Sequence, residues 1–174
     1  MSPMQETAVI EFIRYNRWAN RVLLDACDSL SDEQLSTPIL GAYGTIHETL
    51  QHLVEAEAFY ISLLTGDEPK APYGADGSPT VAEMRAFSDE LGATLIDLAS
   101  QFHLGDMVDE KGEGRELRYK ALALFIQIVN HGVEHRTNIT TVLNQGLQDP
   151  PKVDGWAYLW AHPSRFDVIR VAEE

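Results

Sequence analysis

With 174 residues the chain is long enough for one domain around a sizeable core, and its 44% apolar content excludes a disordered polar chain. Acidic residues outnumber basic ones 27 to 13, for a formal net charge of −14. Such a surface repels phosphate backbones and anionic lipid, so neither a nucleic-acid nor a membrane partner is expected. The single cysteine, Cys27, excludes an internal disulfide framework and fits a reducing, cytoplasmic setting. The first residues lack a basic region ahead of an apolar run, so no signal peptide is expected. The longest nearly apolar stretch, 121–129, is interrupted by Gln127 and is too short to span a bilayer.

Ser2-Pro3 reads as a helix start, with serine as the cap and proline at the first helical position. The spacing of Ile10, Ile13, Arg14, Arg17, Trp18, Val22 and Leu24 predicts a helix over about 4–28. Ser31-Asp-Glu-Gln34 is a capping box that opens a short helical turn, ended by Pro38. After the loop Gly41-Ala-Tyr-Gly44, a second box, Thr45-Ile-His-Glu48, starts a helix that runs to about Thr65 and stops at Gly66. Ile46, Leu50, Leu53, Val54, Ile61 and Leu64 form its inward stripe, and His52 lies at the edge of that stripe. Glu57 lies near the centre, where a lone carboxylate is expensive; it is predicted to be paired, with Arg14 or Arg17 as partner.

Residues 67–79, with three prolines and two glycines, form a long connection. Either Ser78-Pro79, or Thr80 with Glu83 as a third capping box, opens a helix to about Phe102 with Met84, Phe87, Leu91, Leu95 and Leu98 inward. Residues 107–119, turning at Gly112 and Gly114, predict a short β-hairpin. A last helix is predicted over Lys120–Gln145, stopped by Gly146 and blocked by Pro150 and Pro151. Trp156, Tyr158 and Trp160 are expected to cover the bundle or a partner chain. Four long helical patterns with a long connection between the second and third give an all-α four-helix bundle, one domain over 1–174.

His131 and His135 stand four residues apart on the last helix, so they share a face, in the middle of the stripe formed by Leu124, Ile128 and Val142. Two imidazoles aimed at an apolar interior need partners. They are either hydrogen-bonded in the core or ligands of a divalent metal. His52, mid-helix and partly core-facing on another helix, is the best third ligand, because facing helices are where bundles build metal sites. His47 is expected to face solvent, and His103 and His162 fall in loop or tail. Three neutral imidazoles with an open position suit a catalytic rather than a closed structural site. The Glu that follows the first His in H-E-x-x-H proteases is replaced here by Gly132.

The motifs Trp18-Ala-Asn20, Thr45-Ile-His-Glu48 through His52 to Glu57, His131-Gly-Val-Glu-His135-Arg136 and Pro150-Pro-Lys-Val-Asp154 follow one another in an order that resembles the DinB/YfiT-like family. The resemblance covers nearly the whole chain. It implies an up-down-down-up four-helix bundle, often a homodimer, with a divalent metal, usually zinc or nickel, on the positions of His52, His131 and His135. It also implies thiol chemistry, since the family includes S-transferases of low-molecular-weight thiols and a maleylpyruvate isomerase.

The expected function is therefore a metal-dependent enzyme acting on a small-molecule thiol and an electrophile, with hydrolase chemistry as a variant. The alternative is a metal-binding or structural dimeric bundle without turnover. Glu55 and Glu134 are candidate bases, with a solvated surface role as the other reading. Gln127 and Asn138, on the metal-side face of the last helix, are candidates for hydrogen-bonding the ligands or the substrate. Cys27 reads as core filler rather than nucleophile.

Overall fold

Three short signals decide where helices begin. At Ser31, Thr45 and Thr80 the side-chain oxygen accepts from the backbone N–H three residues on, and Gln34, Glu48 and Glu83 accept in return from the cap's own N–H. Each reciprocal pair satisfies two of the donors that a helix start leaves open. The computed structural model describes residues 3–69, 78–103, 105–112 and 114–168. The Ser2 cap, and Pro72, Gly74 and Gly77 of the long connection, lie outside the described residues. The helices are α1 (Pro3–Cys27), α2 (Asp32–Leu35), α3 (Ile46–Thr65), α4 (Val81–Gln101), α5 (Ala121–Val142) and α6 (Gly155–Ala161). Gly66 closes α3 at φ 77°, a left-handed conformation that glycine adopts without a side-chain clash. A hairpin of β1 (Met107–Gly112) and β2 (Arg115–Lys120) precedes α5, with Met107 opposite Lys120.

The four long helices close a ring: α1 packs on α4 and α5, and α3 packs on the same two. Along α3 and α5 the contacts run in opposite sense, His52 meeting His131 while Tyr60 meets Gln127. Along α1 and α4 they are also opposed, with Arg17 near Asp89 and Asp25 near Arg85. Both pairings are thus antiparallel. Two adjoining apolar clusters fill the ring. Leu23, Leu50, Leu53, Met84 and Ile139 belong to one, and Ile13, Leu95, Leu124, Phe125 and Ile128 to the other. Cys27 is buried in the first, as core filler.

Two expectations are corrected. The inward line of α1 runs through Ile13, Asn16, Ala19, Asn20, Leu23 and Leu24, whereas Arg14 and Arg17 stand partly exposed and bond Glu11 and Asp89. The last helix keeps α geometry only to Val142 and then widens into a π-helical turn, Leu143–Leu147, in which Gly146 takes φ 115°. In the tail Asp154 caps α6, and among the described residues there Tyr158 alone is buried and covers the bundle; Trp156 and Trp160 are 72% and 62% exposed. Trp156 and Trp160, four apart, share the outer face of α6, while Tyr158 lies on the opposite side.

Candidate metal centre

The face of α3 that carries His52 meets the face of α5 that carries His131 and His135. His131 and His135 are each 8% exposed, and His52 is half-buried. The three rings turn their Nε2 atoms toward one another: 3.1 Å separates His131 from His52 and 3.1 Å separates His135 from His131. One ligating atom from each lies within 4.8 Å of the other two. An imidazole nitrogen carries either one hydrogen or one lone pair, so His131 Nε2 cannot make a full hydrogen bond to both neighbours. A cation shared by three lone pairs removes that conflict. Two nitrogens each about 2.05 Å from a tetrahedral metal stand about 3.3 Å apart, close to the spacing here. The residues present therefore fit a divalent ion.

Burial lowers all three pKa values, leaving neutral rings with lone pairs available, as a ligand requires. His131 is pushed down to about 4 by burial and then by His135 and His52. His52 is lowered by burial and by His135, with Glu55 opposing. Burial also lowers His135, against Glu134. Nδ1 of His135 is buried and meets no partner among the described residues.

Two tyrosines frame the cluster. Tyr43, in the loop before α3, stacks on His52 at 3.8 Å between ring centroids, and Tyr60 meets His131 edge-on at 5.7 Å. The Tyr60 hydroxyl accepts from Gln127 Nε2 at 3.3 Å, which places Gln127 one residue away from the histidine cluster. Tyr60 lies eight residues after His52, two turns along the same helical face, and this spacing is the signal that could have found it. Asn138 is half-buried on α5. Glu55 and Glu134 are both exposed, and Glu55 accepts from Gln51 on its own helix. His47, expected in solvent, is half-buried, and its Nε2 lies 2.7 Å from the Pro79 carbonyl oxygen.

The carboxylate of Glu57 is paired, but not by Arg14 or Arg17. Its Oε1 accepts from Asn16 Nδ2 at 2.7 Å and from Asn20 Nδ2 at 2.8 Å. The oxygens of those two amides in turn accept from Nη1 of Arg136. All four side chains are at most 2% exposed. Two asparagines four apart on α1 thus bridge a cation on α5 and an anion on α3, each of which would be costly alone. Burial raises the Glu57 carboxyl to about 7, with Asn16, Arg136 and Asn20 pulling the other way. Gly132 makes room for this chain of bonds: a Cβ there would stand 2.3 Å from Asn16 Oδ1 and 2.6 Å from Arg136 Nη1. That contact accounts for glycine between the two histidines.

The model of the DinB family matches residues 4–169, and the chain belongs to that family. No curated protein matches it. Among the described residues no helix is long and apolar enough to cross a membrane.

Proposed function

We propose that this DinB-family chain holds one divalent cation, zinc or nickel, on His52, His131 and His135 and serves as a metal-dependent enzyme for a small molecule. Transfer of a thiol to an electrophile is the favoured reaction, with hydrolysis as the variant. The observation that carries this reading is the convergence of three neutral imidazole nitrogens at which no set of hydrogen bonds is satisfied throughout. A cation bound there would act as a Lewis acid, lowering the pKa of a thiol or a water. The stacked Tyr43 ring holds the orientation of His52. Gln127 and the Tyr60 hydroxyl offer a polar edge to a substrate beside His131. The expected protein partner is a second copy. Its contact would be the nearly apolar groove between α1 and α5, lined by the exposed side chains of Phe12, Ile126 and Val133.

The test starts with elemental analysis of protein purified without a histidine tag. One equivalent of metal, lost in His131→Ala, is expected. Metal-loaded protein is then screened with thiols and electrophiles. Turnover that disappears in His131→Ala supports the enzyme. Bound metal without turnover supports the non-catalytic metal-binding bundle, and absence of metal refutes the enzyme and leaves the purely structural bundle.

A further inference from the structure

Across the ring from the histidines, a cavity of about 350 Å³ opens between α1, α4 and α6. Four guanidinium groups line it, those of Arg14, Arg17, Arg21 and Arg165, in a chain whose net charge is −14. Among the described residues Asp89 is the only carboxylate on the wall. Arg14 is paired with Glu11, whereas among the described residues Arg17, Arg21 and Arg165 meet their anions only at longer range. Arg17 and Arg21 stand 3.6 and 3.7 Å from Asp89, Arg165 stands 3.6 Å from Glu11, and Arg21 stands 3.9 Å from Asp25. All four separations exceed the roughly 2.8 Å of a charge-assisted hydrogen bond. Asp25 is already bonded to Arg85 at 2.7 Å, and Glu11 accepts from the Tyr158 hydroxyl at 2.6 Å and from Arg14 at 3.0 Å.

The fold is shaped to seat one of these arginines. A Cβ at Gly92 would lie 2.5 Å from Cγ of Arg17 and 2.8 Å from its Cδ. Glycine inside a helix is less favourable than alanine, and here it supplies the notch along which the Arg17 stem runs. Trp18 and Tyr158, with ring centroids 5.3 Å apart, give the same cavity an aromatic wall. Its volume falls within the range of small-molecule sites, roughly 300–1,000 Å³.

We propose that this cavity binds a small organic oxyanion, a carboxylate or phosphate monoester carried on a flat apolar body. The guanidinium forks match either anion, and the rings cover the body. Isothermal titration of the full chain at constant ionic strength, with benzoate and with phenyl phosphate as probes, tests this, and the two arms separate carboxylate from phosphate. One-site binding of at least one probe is expected. Arg17→Gln and the exposed pair Arg21→Gln/Arg165→Gln should each weaken it at least about fivefold. Arg118→Gln on the hairpin and His131→Ala at the other site should leave it unchanged. Absence of saturable binding up to about 10 mM overturns the proposal. So does an equal loss in Arg118→Gln, which would mean diffuse attraction, or a loss in His131→Ala, which would place the probe at the histidines.

Discussion

Replacing Glu57 by glutamine should unmask a pH dependence that the unaltered chain hides. The Glu57 carboxyl is raised from 4.5 to about 7, chiefly by burial. The unfolded chain therefore gives up this proton at lower pH than the folded one does. Stability from this group is present in full below the unfolded value and is lost as pH rises through about 7. Linkage puts the loss between about pH 5 and 7 at roughly 2 kcal/mol. His131 works in the other direction. Its folded value is about 4 against 6.5 unfolded, so its contribution is full above the unfolded value and is lost as pH falls toward 4. Over the same window that gain with rising pH is discounted to about 1 kcal/mol, because the ring keeps some access to solvent. His52 and His135, also lowered, add to it. In the metal-free chain the opposing slopes largely cancel. In Glu57→Gln the amide oxygen still accepts from Asn16 and Asn20, and only the histidine slope remains. Urea denaturation of chelator-treated protein at both pH values should show the variant losing about 2 kcal/mol relative to the parent as pH falls from about 7 to 5. Parallel pH profiles for the two proteins would show that Glu57 does not titrate in this window.

Gly132→Ala should destabilise the metal-free chain by about 2–4 kcal/mol despite alanine's better helix propensity, because its Cβ lands on the Asn16–Arg136 bond; unchanged or higher stability in urea would refute the close approach. A chelator should lower the melting temperature of the metal-loaded parent and leave that of His131→Ala unmoved, since a ligand stabilises only the state that binds it; an equal drop in both would place the metal elsewhere. Cys27, buried with its thiol pushed up to about 12, should react with an aromatic disulfide reagent only as fast as the chain opens; labelling faster than unfolding would contradict its place in the core.

The features legible in the sequence were those carried by local rules. The three capping boxes and Gly66 set helix ends through bonds spanning three or four residues, and all four act as read. The hairpin follows from its glycines, and His52, His131 and His135 are brought together because helical spacing fixed the face of each. What the sequence hid depends on contacts between distant segments. A buried carboxylate directs attention to cations on the nearest helix, and Arg14 and Arg17 were the charged choices there. The actual partners, Asn16 and Asn20, carry no charge to mark them, and the cation lies on α5, some 80 residues away in sequence. Tyr43 was unreadable for a related reason: a loop residue has no periodicity, and only the closed fold brings its ring over His52.

The same turn of α5 is gripped from two sides. His131 and His135 face α3, and Arg136, with Gly132 as its clearance, faces α1. Asn16 and Asn20 then return the connection from α1 to Glu57 on α3, five residues beyond His52. The helix bearing one histidine and the helix bearing the other two are thus tied through a third helix as well as across the cluster. A buried bond network resists sliding more than apolar packing does, since a shift of one turn would strand Arg136 and Glu57 without partners in the core. The spacing of the three histidines therefore rests on α1, a helix that contributes none of them. Loss of either asparagine should loosen metal affinity more than the loss of an equally buried apolar side chain on the same helix, such as Leu23→Ala. Metal titration of Asn20→Ala beside Leu23→Ala decides the matter, and equal affinities would reduce the network to ordinary packing.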